Sequence, residues 1–305
     1  MIARLDNLRK HPSVFRHLTG LTGPAFDALA ADVAPAVEAA HRRALDRPDR
    51  QRAVGAGGVF GLTTGDQVLP AVVWLRQYPT QEVLGFLFGV SDSTALRAVR
   101  RCLPVLEQAG RDTMRMPGPG AGRRRNLAAL LRDTPGLAVV IDTFEQRTHR
   151  PKRRQRAYYS GKKKAHTLKS QVGVDEETGR VVDVSDSVPG PWADLKLLKT
   201  SGLLKRLPEG VGGIGDLAYV GIADLHPEGL GATPRRKPRG KDRPPEDRKY
   251  NRAFSRRRIV VEHTIGRLRR FRSVAHVNRH RRRGHAARVR AVAGLVNRML
   301  PAATA

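Results

Sequence analysis

The chain has 305 residues, with 57 Lys and Arg against 28 Asp and Glu, for a formal charge of +29. A hydrophobic content of 40% suits a globular protein of about two domains, and the single cysteine, Cys102, excludes a disulfide framework or a Cys-based zinc cluster. No apolar run reaches the ~18 residues of a membrane span, and Met1-Ile2-Ala3-Arg4-Leu5-Asp6 lacks the apolar core of a signal peptide, so a soluble, cytoplasmic protein is expected.

Residues 24–45 read as an Ala-rich helix, with Phe26, Leu29, Val33 and Val37 at helical spacing. Residues 46–65, polar and then Gly-rich, read as a connector. From Asp66 a helical pattern through Val68, Leu69, Val72, Val73 and Leu75 runs to a break at Tyr78-Pro79. Thr80 caps a short helix through Val83, Leu84, Leu87 and Phe88; Gly89 stops it, and Ser91-Asp92-Ser93 caps another from Thr94 to about Glu107. Two helices joined by so short a Gly-containing turn have the layout of a helix-turn-helix. The second carries Arg97, Arg100 and Arg101, while Leu96, Val99 and Leu103 supply a packing stripe. The plainer alternative is a helical hairpin that only mediates dimerisation. Residues 1–107 are thus expected to form a helical DNA-binding domain, followed by a linker over 108–135 with Met116-Pro117-Gly118-Pro119-Gly120 and Arg123-Arg124-Arg125.

Past the linker the texture becomes α/β. Leu137-Ala138-Val139-Val140-Ile141 is a buried-strand run ending in Asp142. From Gln146 to Lys169 there are ten bases and no acid, including Lys162, Lys163 and Lys164. Residues 168–174 and 180–184 read as strands joined through Glu177-Thr178-Gly179, 194–207 as a helix, and 211–215 as a weak strand ending in Asp216. Residues 231–250 form a loop, with helices over about 251–271 and 285–300. The α/β domain is placed at 136–280 and a C-terminal basic helix at 281–305. Residues 235–290 hold 22 Lys and Arg against four acids. A solvated face is the ordinary reading of one charge run. Two runs flanking apolar segments suit a surface that neutralises phosphates and releases their counterions. A ribosomal-type basic protein fits the charge less specifically, and an anionic membrane surface lacks an amphipathic anchor.

In so basic a chain the placed acids stand out. Asp142 and Asp216 sit at strand ends, where α/β sheets present reactive groups. Glu262 shares a helical stripe with Arg258 and Arg269, beside an apolar stripe of Val261, Ile265 and Leu268. Three carboxylates brought together require a cation, and hard divalent ions take oxygen ligands. Taken singly, each acid has a plainer role: a turn cap for Asp142, an Asx-turn for Asp216, and an i−4 pair with Arg258 for Glu262. A tyrosine-nucleophile chemistry beside His280-Arg281-Arg282-Arg283 is disfavoured, because no tyrosine follows Tyr250.

Residues 66–106, notably Trp74-Leu75-Arg76-Gln77-Tyr78-Pro79-Thr80, Gly85-Phe86-Leu87-Phe88-Gly89 and Ser93-Thr94, resemble the helix-turn-helix region of bacterial insertion-sequence transposases. Ile141-Asp142-Thr143, Pro189-Gly190-Pro191-Trp192-Ala193-Asp194, Gly215-Asp216-Leu217-Ala218-Tyr219 and Val260-Val261-Glu262-His263-Thr264-Ile265-Gly266 resemble the DDE nuclease domain of the Harbinger-related group. The resemblance implies an RNase H-like mixed sheet with flanking helices behind an all-α domain. It implies Mg²⁺ or Mn²⁺, two ions, held by catalytic Asp142, Asp216 and Glu262. It also implies cleavage and strand transfer at terminal inverted repeats by a homo-oligomer on double-stranded DNA, with Arg97, Arg100, Arg101, Lys162, Lys163, Lys164, Arg258 and Arg269 as DNA contacts. This chain departs from the group's pattern in having Ser255 for Tyr, Arg269 for Lys, and Thr143 for the Gly after the first aspartate. Asp194 is the rival second acid, and a catalytically inactive DNA-binding protein derived from a transposase is the alternative function.

Overall fold

The computed structural model describes residues 3–46, 51, 62–118 and 129–301. The centre of the Gly-rich connector and Arg123-Arg124-Arg125 lie outside the described residues. The described residues form two compact units. The first comprises those within Met1–Thr113, Arg270–Ala275 and Ala287–Ala302, and the second those within Met114–Arg269 and His276–Ala286.

The first unit opens with helices α1 (Leu5–Arg9), α2 (Pro12–Thr19), α3 (Gly23–Leu45), α4 (Thr64–Gln77), α5 (Gln81–Phe88) and α6 (Asp92–Asp112). Phe26, Leu29, Val33 and Val37 are the buried face of α3, as their spacing predicts. Helix α4 is buried on nearly every side from Gln67 to Leu75, so it forms the centre of the unit and packs against α2, α3 and α6. Tyr78 ends it in the left-handed conformation, with φ of 55°.

The second unit is built on a sheet. Its elements are β1 (Leu137–Arg147), α7 (Gln155–Tyr158), β2 (Tyr159–Ser160), β3 (Ala165–Asp175), β4 (Val181–Val184), β5 (Val188–Pro189), α8 (Asp194–Ser201), β6 (Val211–Ile214), α9 (Ile222–Leu225), β7 (Gly231–Ala232) and α10 (Pro245–Arg269). The order β2-β3-β1-β6-β7 places β1 between an antiparallel β3 and a parallel β6, while β4 and β5 pair with β3. An antiparallel meander leading to strands parallel with the first is an RNase H-like sheet. Leu137, Val139 and Ile141 point to one side of β1 and pack with Val182, Leu198, Leu204, Val211, Tyr219 and Ile222. By strand alternation Ala138, Val140 and Asp142 face the other side, and α10 packs on both β1 and β3. The helix read over 194–207 stops earlier, because Gly202 takes φ of +65° and a 3-10 turn, Leu203–Arg206, follows.

Two further helices, α11 (Arg272–Ala275) and α12 (His285–Arg298), complete the chain. Where a separate basic helix is expected over 281–305, residues from Ala287 onward count instead with the first unit. There Arg290 pairs with Glu107 at 3.2 Å, Asn297 donates to Thr113, and Arg298 pairs with Asp32 at 2.7 Å. Gly110 and Gly294 make the approach possible, since a Cβ on Gly294 would sit 2.2 Å from the Gly110 Cα. Among the described residues no helix is long and apolar enough to cross a membrane.

Candidate nuclease site and helix-turn-helix

The register of the central strands places the first two acids. Val140 lies opposite Ile214 in the parallel pair of β1 and β6. Two residues further along each chain come Asp142, still within β1, and Asp216, just past the end of β6, near enough for the charge of Asp216 to act on Asp142. Asp216 leaves the strand extended and caps a short turn, its Oδ1 accepting from Ala218 N at 2.8 Å.

Asp142 is half-buried, and burial is the main reason its carboxyl is pushed up to about 6. A hydrogen bond from Thr143 N at 2.7 Å and the Arg258 guanidinium oppose that rise, while the charges of Asp216 and Asp194 add to it. The same charged groups act on Tyr219, fully buried, whose phenol is held well above its usual value by burial first. Its hydroxyl has no hydrogen-bond partner among the described residues.

Asp194 is engaged differently. At the start of α8 it accepts from Lys169 Nζ at 2.6 Å and from Thr143 Oγ1 at 3.0 Å, and Lys169 also donates to the Trp192 carbonyl at 2.5 Å. The strong ammonium contact already balances this carboxylate. A single Lys inside a strand run gives no sign of such a partner in the sequence.

Helix α10 presents Arg258 half-buried and Glu262 exposed one turn further on. Glu262 forms no ion pair with Arg258 among the described residues, and no cluster of three or more His, Cys, Asp or Glu there stands ready to hold a metal ion. The structure therefore brings Asp142, Asp216, Asp194 and Arg258 into one neighbourhood, while Glu262 is exposed on α10 and is not among the charges that act on Asp142. The oxygen donors still suit a hard divalent cation. Two carboxylates are enough for Mg²⁺, which keeps several of its waters. Arg269 is exposed at the end of α10, and Lys162, Lys163 and Lys164 form an exposed turn between β2 and β3.

Arg257 was missed as a structural residue. Although it stands within the basic run over 235–290, it is buried and donates to both Glu176 oxygens, to Thr134 Oγ1 and to the Pro135 carbonyl. The signal was present: position 257 falls in the series Phe254, Val261, Thr264, Leu268, the buried stripe of α10.

In the first unit α5 and α6 make the tight turn that their caps predict. Gly89 has φ of 59°, Val90 N donates back to Gly85 O, and Ser91 Oγ accepts from Thr94 N. Gly85 is required sterically, since a Cβ there would lie 2.7 Å from Val90 O and 3.0 Å from Asp92 N. Arg97 and Arg100 are exposed on α6. Arg101, expected with them, turns inward and donates to Gln67 Oε1 at 2.6 Å. It sits about 40° nearer than Arg97 to the buried Ala98 and Cys102 face, within reach of α4.

Residues 141–297, more than half of the chain, match the family described as DDE superfamily endonuclease. Residues 61–112 match the helix-turn-helix of DDE superfamily endonuclease. A protein of Microchaete diplosiphon, "Probable transposase for insertion sequence element IS702", is 30% identical over 283 residues, 93% of this chain and 93% of that protein. No solved structure matches. With a helix-turn-helix ahead of an RNase H-like sheet, the chain belongs to the DDE superfamily endonucleases and is a transposase.

Proposed function

We propose that this transposase cleaves phosphodiester bonds at the terminal inverted repeats of a mobile element and joins the ends to target DNA, using Mg²⁺ or Mn²⁺. One observation carries the reading. Asp142, within β1, and Asp216, just past β6, are near enough for the charge of Asp216 to act on Asp142, whose carboxyl is pushed up to about 6, by burial above all. Such a pair favours a divalent cation. Asp142 and Asp216 would hold it, with Glu262 completing the set from α10. Bound there, the metal supplies Lewis-acid charge that activates the attacking oxygen and steadies the leaving one.

The remaining roles fall to the chain's own side chains. Arg258 balances Asp142 and meets the phosphate as DNA approaches. Lys169 keeps Asp194 neutralised, so that Asp194 orients Thr143 and the strand that carries Asp142. Tyr219 packs beneath the acids and keeps bulk water from that side. Arg97 and Arg100 read base edges in the major groove, while Lys162, Lys163, Lys164 and Arg269 hold backbone phosphates without reading sequence.

Nicking of element-end DNA with and without Mg²⁺ or Mn²⁺ tests the reading. Asp142→Asn and Glu262→Gln are each expected to abolish nicking while DNA affinity is kept or improved, because an acid that repels phosphate is gone. Full nicking by Glu262→Gln with loss in Asp194→Asn moves the third carboxylate to Asp194. Metal-independent nicking refutes the mechanism, and specific binding without any nicking identifies an inactive DNA-binding derivative.

A further inference from the structure

A second cationic feature lies in the sheet unit, away from the acids. After β1 the chain enters a cleft of about 980 Å³ lined by Lys152 and Arg153 on one wall and by the run Arg281, Arg282, Arg283 on the other. No carboxylate lines it. Lys152, Arg153, Arg281 and Arg283 are exposed and have no acidic partner among the described residues. Arg282 is held over the Tyr158 ring, its guanidinium carbon 4.4 Å from the centroid.

This run is not a solvated tail. Thr148 and Asn278 form a parallel bridge, Asn278 N donates to Arg147 O at 2.8 Å, and Asn278 Nδ2 donates to His280 O at 2.9 Å. Beneath them the fully buried His285 lies 2.6 Å from Gln146 Oε1 through one ring nitrogen and 2.6 Å from Ser187 Oγ through the other. Gln146 in turn donates to His276 O at 2.6 Å. Both ends of the basic loop are therefore pinned to the sheet by buried polar groups. Ordering so many like charges around one concavity is costly unless a polyanion occupies it.

We infer that this cleft is a second, sequence-independent seat for the phosphate backbone of double-stranded DNA. The placement of that seat rests on the nuclease reading above. Thr148 lies six residues beyond Asp142, nearly all of them in β1, which is ~20 Å along the strand at about 3.3 Å per residue. At about 3.4 Å per base pair the cleft grips the duplex roughly six base pairs from the cut phosphate. The helix-turn-helix selects the sequence, and the cleft keeps the neighbouring duplex straight across the acids.

The test uses the full chain and a random-sequence duplex, with affinity followed across salt concentrations. R281Q/R283Q is expected to flatten the salt slope by about two units and to weaken binding roughly 30-fold near 0.15 M salt, for two lost phosphate contacts. K152Q/R153Q should do the same from the opposite wall. R236Q/R239Q, which removes two exposed charges outside the cleft, should change the slope far less. An unchanged slope in both cleft variants overturns the proposal, and so does an equal loss in the control. Thermal melting of each variant shows whether the fold is intact. If R281Q/R283Q flattens the slope but the wild type does not nick with Mg²⁺, the nuclease reading fails and the cleft stands. On element-end DNA, methylphosphonate linkages at the predicted distance should make wild type and R281Q/R283Q bind alike. A persisting difference overturns the placement.

Discussion

Removal of the Arg257 side chain tests how α10 is held against the sheet. Its guanidinium makes a bidentate pair with Glu176, at 2.8 and 2.6 Å, and further bonds at 2.6 Å to Thr134 and 2.7 Å to the Pro135 carbonyl. The side chains are only 4% and 2% exposed, so Arg257→Ala takes the bidentate donor from a buried carboxylate and a donor from each of two further acceptors. Breaking one side of a buried pair costs about 3–5 kcal/mol. With a urea m-value of about 2 kcal/mol/M for a unit of this size, the midpoint should fall by ~1.5–2.5 M. Circular dichroism against urea measures this, read as the transition of the sheet unit, because two compact units need not unfold together. Arg257→Met with Glu176→Leu should recover most of the loss, since no charge is then left alone. A shift below ~0.5 M in Arg257→Ala, about 1 kcal/mol, would refute the argument. Because Arg258 and Glu262 follow on the same helix, nicking should fail in the single variant and return partly in the double.

Gly85→Ala should cost about 1–3 kcal/mol through overpacking against Val90 O and Asp92 N, and should abolish discrimination between element-end and random DNA; melting and competition binding measure the two effects. Arg97→Ala or Arg100→Ala should each remove about 1–3 kcal/mol of discrimination, whereas Arg101→Ala should lower stability and leave the specificity ratio unchanged. Cys102 is fully buried and burial pushes its thiol up to about 12, so it should resist alkylation near pH ~8 in the native protein and react once urea exposes it. The folded chain keeps a proton that the unfolded chain releases above 9.0, so this group's contribution to stability holds below that pH and is lost as the pH rises toward 12. Equal alkylation rates with and without urea would show that α6 opens readily.

Elements with one strong local signal were legible in the sequence. The apolar run before Asp142, the caps at Thr80 and Ser91, and the left-handed stops at Tyr78 and Gly89 each carry their own instruction, and the structure follows them. Asp216 was legible just past a strand end, whereas β1 runs beyond Asp142 to Arg147, and the approach of the two acids depends on the register of two strands and was not legible. What stayed hidden lies in the charge. Arg101 and Arg257 belong to basic runs that look solvated, and Lys169 stands alone in a strand, yet each finds a partner supplied by a distant segment. The pinned loop of Arg281–Arg283 was hidden for the same reason, since Gln146 and His285 meet only after β1 and α12 are in place.

The return of α12 to the first unit has a consequence for synthesis. Glu107, Thr113 and Asp32 must wait for Arg290, Asn297 and Arg298, nearly two hundred positions later or more. A ribosome adding about 5–20 residues per second finishes the sheet unit before it delivers the helix that closes the DNA reader. A nascent chain halted near residue 286 would hold Asp142, Asp216 and Glu262 and still lack the segment that joins α6. The unit whose helices are made first is thus the one whose packing is completed last.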